Sequence, residues 1–270
     1  MGAMSTWTRV MVAAVCVAGL SGAAEAAVTR RPIEWTEGGL TMRATLVVDP
    51  TKLDSTKKTG PAVMVIHQYM GPGEYELMRA EMLAELGYVA FVADVYGVAV
   101  RPKDRAEAGA AAGKLKGDRT ELRRRLQMNL ARMLGEPEVD KQRVAAIGYC
   151  FGGTAALELA RAGADLDAVV SFHGGLDSPT PADGKNIKAK VLVLHGAADP
   201  FVKKPDIEAF IAELDQAKVD WQMVSYAGAV HAFTEKHAGN DPSKGAAYDA
   251  KADRRSWEVM KDLLAEALAP

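Results

Sequence analysis

Residues 41–48 alternate polar and apolar side chains, with Met42, Ala44, Leu46 and Val48 on one side, the period of a half-exposed strand. Residues 62–67 and 88–95 are near-continuous apolar runs, the pattern of strands covered on both faces. Between them, 75–86 places Leu77, Met78, Met82, Leu83 and Leu86 at helical spacing, and Gly87 stops the helix. Strand, helix, strand in that order predicts a right-handed parallel crossover.

The alternation continues to the end of the chain. Helices are predicted over 104–115 and 118–134, broken at Gly117 and Asp118. Strands are predicted over 143–149, 166–172, 189–195 and 221–226. Helices are predicted over 152–162, 205–217 and 250–268, the last with Trp257, Met260, Leu263 and Leu264 on one face. Apolar strands that alternate with amphipathic helices predict an α/β fold: a doubly wound, mostly parallel sheet with helices on both faces.

Composition narrows this picture. Hydrophobic residues make up 49% of the chain and charged ones 25%, an ordinary globular balance. No repeat, low-complexity tract or Pro/Ser-rich linker divides 27–270, so one domain is expected there. The net charge of −2 and the lack of a basic stripe argue against a nucleic-acid partner. Arg123, Arg124 and Arg125 follow Asp118 and Glu121 and read as a solvated helix face.

The first 26 residues read as a signal peptide. Arg9 precedes an apolar core over 10–20, and Ala24-Glu25-Ala26 fits the small-x-small cleavage pattern. That core is shorter than the ~20 residues needed to span a bilayer. The expected product is exported, periplasmic or secreted, with no stable membrane insertion after cleavage. It would keep one of the two cysteines, Cys150, which then has no internal disulfide partner.

The surroundings of Cys150 suggest a chemical purpose. Gly148-Tyr149-Cys150-Phe151-Gly152-Gly153 lies between a predicted strand and a predicted helix, as a nucleophile elbow does. The turn is too tight for side chains on its flanking positions, and the helix N-terminus favours a thiolate and an oxyanion. Asp199 follows a later strand, and His231 follows the last one. Cys150, Asp199, His231 is the chain order this fold class requires of nucleophile, acid and base. Strand tips converge at the carboxyl edge of the sheet, so long sequence gaps are no obstacle. The expected oxyanion donors are the backbone N–H of Phe151 and that of Tyr69, in the loop after the first buried strand. His67 and His173 end their strands. His173, with Gln68, Tyr96, Phe233 and Arg101, is expected to line a partly aromatic substrate pocket. No cluster of ligand spacing points to a metal.

These segments resemble the dienelactone hydrolase family: VMVIHQYMG, LGYVAFVADVYG, AAIGYCFGG, VVSFHGG, VLVLHGAADP and VHAFT. The match runs from about Arg43 to the C-terminal helix. The resemblance implies an α/β-hydrolase fold, no cofactor, and a Cys-His-Asp triad that hydrolyses a small-molecule ester or lactone through a thioester. Two positions depart from the family pattern. Gln68 stands where a glutamate is common, so thiol activation would rest more on His231. Glu235 stands where members that bind carboxylated lactones carry an arginine, which argues against an anionic substrate. The alternative is a non-catalytic or thiol redox-sensing protein on the same scaffold; the lack of a second, resolving cysteine weighs against the sensor.

Overall fold

The computed structural model describes residues 28–270; the expected signal peptide lies outside the described residues. The chain runs β1 (Thr29–Glu37), β2 (Leu40–Val48), β3 (Gly60–Ile66), α1 (Glu74–Glu85), β4 (Val89–Ala93), α2 (Arg105–Gly117), α3 (Arg119–Leu134) and β5 (Val139–Tyr149). It continues through α4 (Phe151–Arg161), β6 (Ala168–Phe172), β7 (Lys190–Gly196), α5 (Lys204–Ala217), β8 (Trp221–Tyr226) and α6 (Ala250–Ala267).

The eight strands form one sheet in the order β1-β2-β4-β3-β5-β6-β7-β8. β3 to β8 are parallel throughout, while β2 is antiparallel to both β1 and β4. The sheet is therefore the mostly parallel one expected. β1 was not expected. In TRRPIEWTE only Ile33 is buried, so no apolar period announces the strand. It is an edge strand, where charge and a proline are tolerated. Gly38 and Gly39, both at positive φ, make the tight turn that pairs it with β2.

Strand side chains divide between the two faces. Ala62, Met64 and Ile66 of β3 join a core with Leu126 of α3, Leu157 of α4 and Phe210 of α5. Val63 and Val65 join a second core with Leu83 of α1 and Trp257 and Met260 of α6. Every residue of α4 is buried. Its small side chains, Gly152, Gly153, Ala155, Ala156 and Ala160, let it lie close against the sheet.

The crossover from β3 to β4 runs one way along the sheet, and the one to β5 runs the other. The strand order thus reverses between β3 and β5, and it is beyond the carboxyl ends of the strands at such a reversal that open α/β sheets place their sites. The loops after β3, β5, β6, β7 and β8 all reach this edge.

Candidate active site

Cys150 sits between β5 and α4, at the point where the strand order reverses, with φ 54° and ψ −115°. A non-glycine residue in that region is strained and is held there by its surroundings. The glycines around it are obligatory. A Cβ on Gly148 would strike the Gly152 carbonyl, and one on Gly152 would strike the carbonyls of Ile66 and His67. Cys150 is partly exposed, and the N-terminus of α4 lies behind its sulfur.

The structure brings three of the expected residues into one line. His231 Nε2 lies 3.1 Å from Cys150 Sγ. On the other side of the ring, Nδ1 lies 2.8 Å from Asp199 Oδ2. Asp199 Oδ1 accepts the Phe201 N–H at 2.8 Å, so both carboxylate oxygens are fixed. The loops that carry Asp199 and His231 touch each other: Ala198 N–H donates to the Ala229 carbonyl at 2.9 Å. His231 is itself tied down, its N–H to Gly245 and its carbonyl to the Ala247 N–H. Burial works against a charge on His231. The nearby sulfur and the Asp199 carboxylate outweigh it and push the imidazole up to about 10.

The loop after β3 is held from several sides. His67 Nδ1–H donates to the Gln68 carbonyl at 2.6 Å, and its Nε2 accepts the Val95 N–H at 3.3 Å. Burial pushes this imidazole down to about 4, so it is neutral at ordinary pH. Glu76, the third residue of α1, accepts the Gln68 N–H through Oε1 and the Gly73 N–H through Oε2. Burial raises its carboxyl to about 7; Glu235 adds to the rise, and the amide bonds oppose it. Because His67 holds the Gln68 carbonyl, the Tyr69 N–H across the same trans peptide points the opposite way. The Phe151 N–H, in the first turn of α4, has no intrahelical acceptor.

Several expected pocket residues lie elsewhere. Tyr96 is buried, and its hydroxyl donates to the Tyr69 carbonyl at 2.8 Å, so it supports the loop from below. Phe233 is fully buried, packed edge-on against His173. His173 is fully buried beneath the elbow. Gln68 turns its side-chain oxygen back to the Met70 N–H at 2.8 Å. Arg101 is committed to Asp94 at 2.6 Å and to the Gly97 carbonyl. Asp94 is a buried carboxylate and holds the guanidinium more firmly than an open site would. Strand-end side chains here point into the layers, which a reading of sequence spacing cannot distinguish from pointing outward.

One further residue at the site, Phe201, escaped the sequence reading. Phe201 is 62% exposed and stands edge-on to His231 at 5.3 Å. With the half-buried Tyr69 it gives the site an aromatic rim. Glu235, four residues after His231, is buried with Oε2 3.0 Å from His237 Nε2 and no hydrogen-bond partner on Oε1. Phe201 had one available signal, its place two residues after Asp199. Among the described residues, no group of three or more His, Cys, Asp or Glu side chains is arranged to hold a metal.

Comparison with known proteins shows the family and the fold. The model of the dienelactone hydrolase family matches residues 45–268. The solved structure of m3DLH is 38% identical, covers 90% of this chain and 100% of its own, and superposes with a TM-score of 0.84. The dienelactone hydrolase-like promiscuous phosphotriesterase P91, from metagenomic libraries, is 39% identical over 90% of this chain and 100% of its own, with a TM-score of 0.83. An Aquifex aeolicus protein that carries the carboxymethylenebutenolidase name is 28% identical over 75% of this chain and 87% of its own.

Proposed function

The chain belongs to the dienelactone hydrolase family and is a carboxylic ester or lactone hydrolase, and from that premise we propose that Cys150, His231 and Asp199 perform its chemistry. The observation that carries the reading is the unbroken line from Sγ through the imidazole to a buried carboxylate, 3.1 Å and then 2.8 Å.

Thiolate Sγ attacks the acyl carbon, and the carbonyl π electrons move to oxygen. The Phe151 and Tyr69 N–H groups receive that oxyanion. As the intermediate collapses, the carbon–oxygen bond breaks and His231 Nε2–H protonates the departing alkoxide. Water then attacks the thioester while His231 takes its proton, and the carbon–sulfur bond breaks to return the thiolate. Asp199 keeps Nδ1 protonated and stabilises the imidazolium. Gln68 carries no proton-accepting carboxylate, so His231 is the base that maintains the thiolate.

The substrate of this reading is a neutral ester or lactone. Glu235 presents a buried carboxylate where a substrate carboxylate would need a cation, and Arg101 is engaged by Asp94. The same feature favours a second substrate class, neutral phosphotriesters, on which the related P91 acts.

The test is p-nitrophenyl acetate hydrolysis by the wild type and Cys150→Ala, with mass spectrometry of the quenched reaction. The expected results are a loss of at least ~10³-fold and an acyl adduct on Cys150. Equal rates would overturn the assignment, and oxidation of Cys150 without acylation would favour a thiol sensor. In a panel of esters, lactones and paraoxon, a preference for anionic lactones would refute the role given to Glu235.

We also propose that residues 1–26 direct export and are removed after Ala26. A mature protein that begins at Ala27 in the periplasmic or culture fraction is expected; an intact chain retained in the cytosol would rule export out.

A further inference from the structure

His173 was expected to face substrate. It faces the nucleophile's backbone instead. Its side chain is fully buried at the end of β6, the strand beside β5. Its own φ is 40°, a value a non-glycine residue adopts at a cost. Its Nδ1 accepts the Cys150 N–H at 3.1 Å, and its Nε2 lies 2.7 Å from Thr234 Oγ1. Since Nδ1 accepts, the proton of the neutral ring is on Nε2, which donates to Thr234. Thr234, also buried, meets the Tyr75 hydroxyl at 2.7 Å. Edge-on contacts with His231 at 5.3 Å and Phe233 at 5.1 Å hold the ring plane.

We infer that His173 is a positioning residue for hydrolysis: a neutral imidazole that grips the amide of the strained nucleophile and anchors it, through Thr234, to α1. The inference rests on the reading of Cys150 as nucleophile. The Cys150 N–H also reaches the Phe172 carbonyl at 3.0 Å, but that bond continues the β5–β6 ladder and fixes strand register only. The His173 contact comes from beyond the strand end. It resists rotation of the Cys150 peptide about the strained φ, which would swing Sγ away from His231. The imidazole stays neutral because burial, His231 and Arg79 all oppose a charge on it. A second imidazolium 5.3 Å from His231 would compete with the base.

Asparagine and leucine separate positioning from packing. In His173→Asn the side-chain amide oxygen would stand near the place of Nδ1 and accept the same N–H, and asparagine tolerates left-handed backbone. Leucine fills the volume with no acceptor. With p-nitrophenyl acetate, His173→Leu is expected to lose on the order of 10²-fold in kcat with KM within ~3-fold, the scale of a misplaced reacting group. His173→Asn is expected to recover kcat to within ~10-fold of wild type. Equal kcat for the two variants, or a loss confined to KM, overturns the inference. If His173→Leu does not fold, Thr234→Val removes the far anchor without touching Cys150. About a 10-fold loss in kcat is then expected, and an unchanged kcat overturns the inference. Cys150→Ala is assayed beside them. If it is inactive while His173→Leu matches wild type, the inference alone fails; if it is fully active, the underlying reading fails first.

Discussion

The two ends of α4 each bury a cluster of polar side chains, and the clusters are built on opposite principles. At the C-terminal end, Arg161 is fully buried and fully partnered. Its guanidinium donates twice to Glu213, at 2.8 and 2.7 Å, and once to Glu158 at 3.0 Å. Glu158 in turn accepts from Arg123, which also binds Asp183. At the N-terminal end, Cys150, His173 and Ala232 all have positive φ, and Glu235 Oε1 and His195 Nδ1 have no partner. Saturated bonding with relaxed backbone marks a cluster that maintains structure. Strain with spare polar atoms marks one whose bonds are completed by something that comes and goes.

The strongest way to break this contrast is to disable each end in turn. Asp199→Asn keeps the shape at the N-terminal end but loses the charge that holds the His231 tautomer. A kcat loss of ~10³-fold or more is expected, with little change in the melting temperature near pH 10, where the His231 proton no longer stabilises the fold. Arg161→Ala should do the reverse, because it leaves Glu213 buried without a counter-charge and Glu158 with Arg123 alone. Destabilisation of ~3–5 kcal/mol is expected in thermal or urea unfolding. At a temperature where the variant is folded, kcat should stay within about twofold. If both variants lost mainly activity, or both mainly stability, the division would not hold.

A pH series sharpens it. His231 is raised from 6.5 to about 10 in the folded protein, so the folded state holds a proton that the unfolded state has released. The resulting stabilisation is complete below about pH 6.5 and disappears as pH rises to about 10. The melting temperature should therefore fall across that window, and less steeply in Asp199→Asn. The smallest effect is expected at the rim. Phe201→Ala should raise KM for an aryl ester by ~3-fold and change stability by no more than ~0.5 kcal/mol.

The parts of the fold that repeat a period were legible in the sequence. The apolar runs of β3 to β7 and the amphipathic helices stand out, because burial on two faces or one leaves a mark on composition. β1 left none, because its exposed edge requires no apolar face. At the site, the residues tied to a rigid turn could be expected to converge: the glycines of the elbow, Cys150, and Asp199 and His231 after their strands. Tyr96, Phe233 and His173 could be placed at the carboxyl edge of the sheet but not oriented, because a strand end carries no periodic record of which way its side chain turns. Arg101 was misread for a related reason. Its partner Asp94 sits among the apolar residues of a strand end, and nothing in the spacing reveals that the two close on each other. Glu76 combines both difficulties: its place in the first turn of α1 reads as a helix cap, and its grip on the loop after β3 exists only once the chain has folded.

The lone thiol at the elbow also serves as a counting device. The full sequence has two cysteines, and only Cys150 would survive cleavage after Ala26. A chromogenic disulfide reagent applied to denatured protein would therefore read one equivalent for a trimmed chain and two for an untrimmed one. Applied to native protein trimmed after Ala26, the same reagent reads the accessibility of the elbow thiol directly, with no mutagenesis to silence other sulfhydryls.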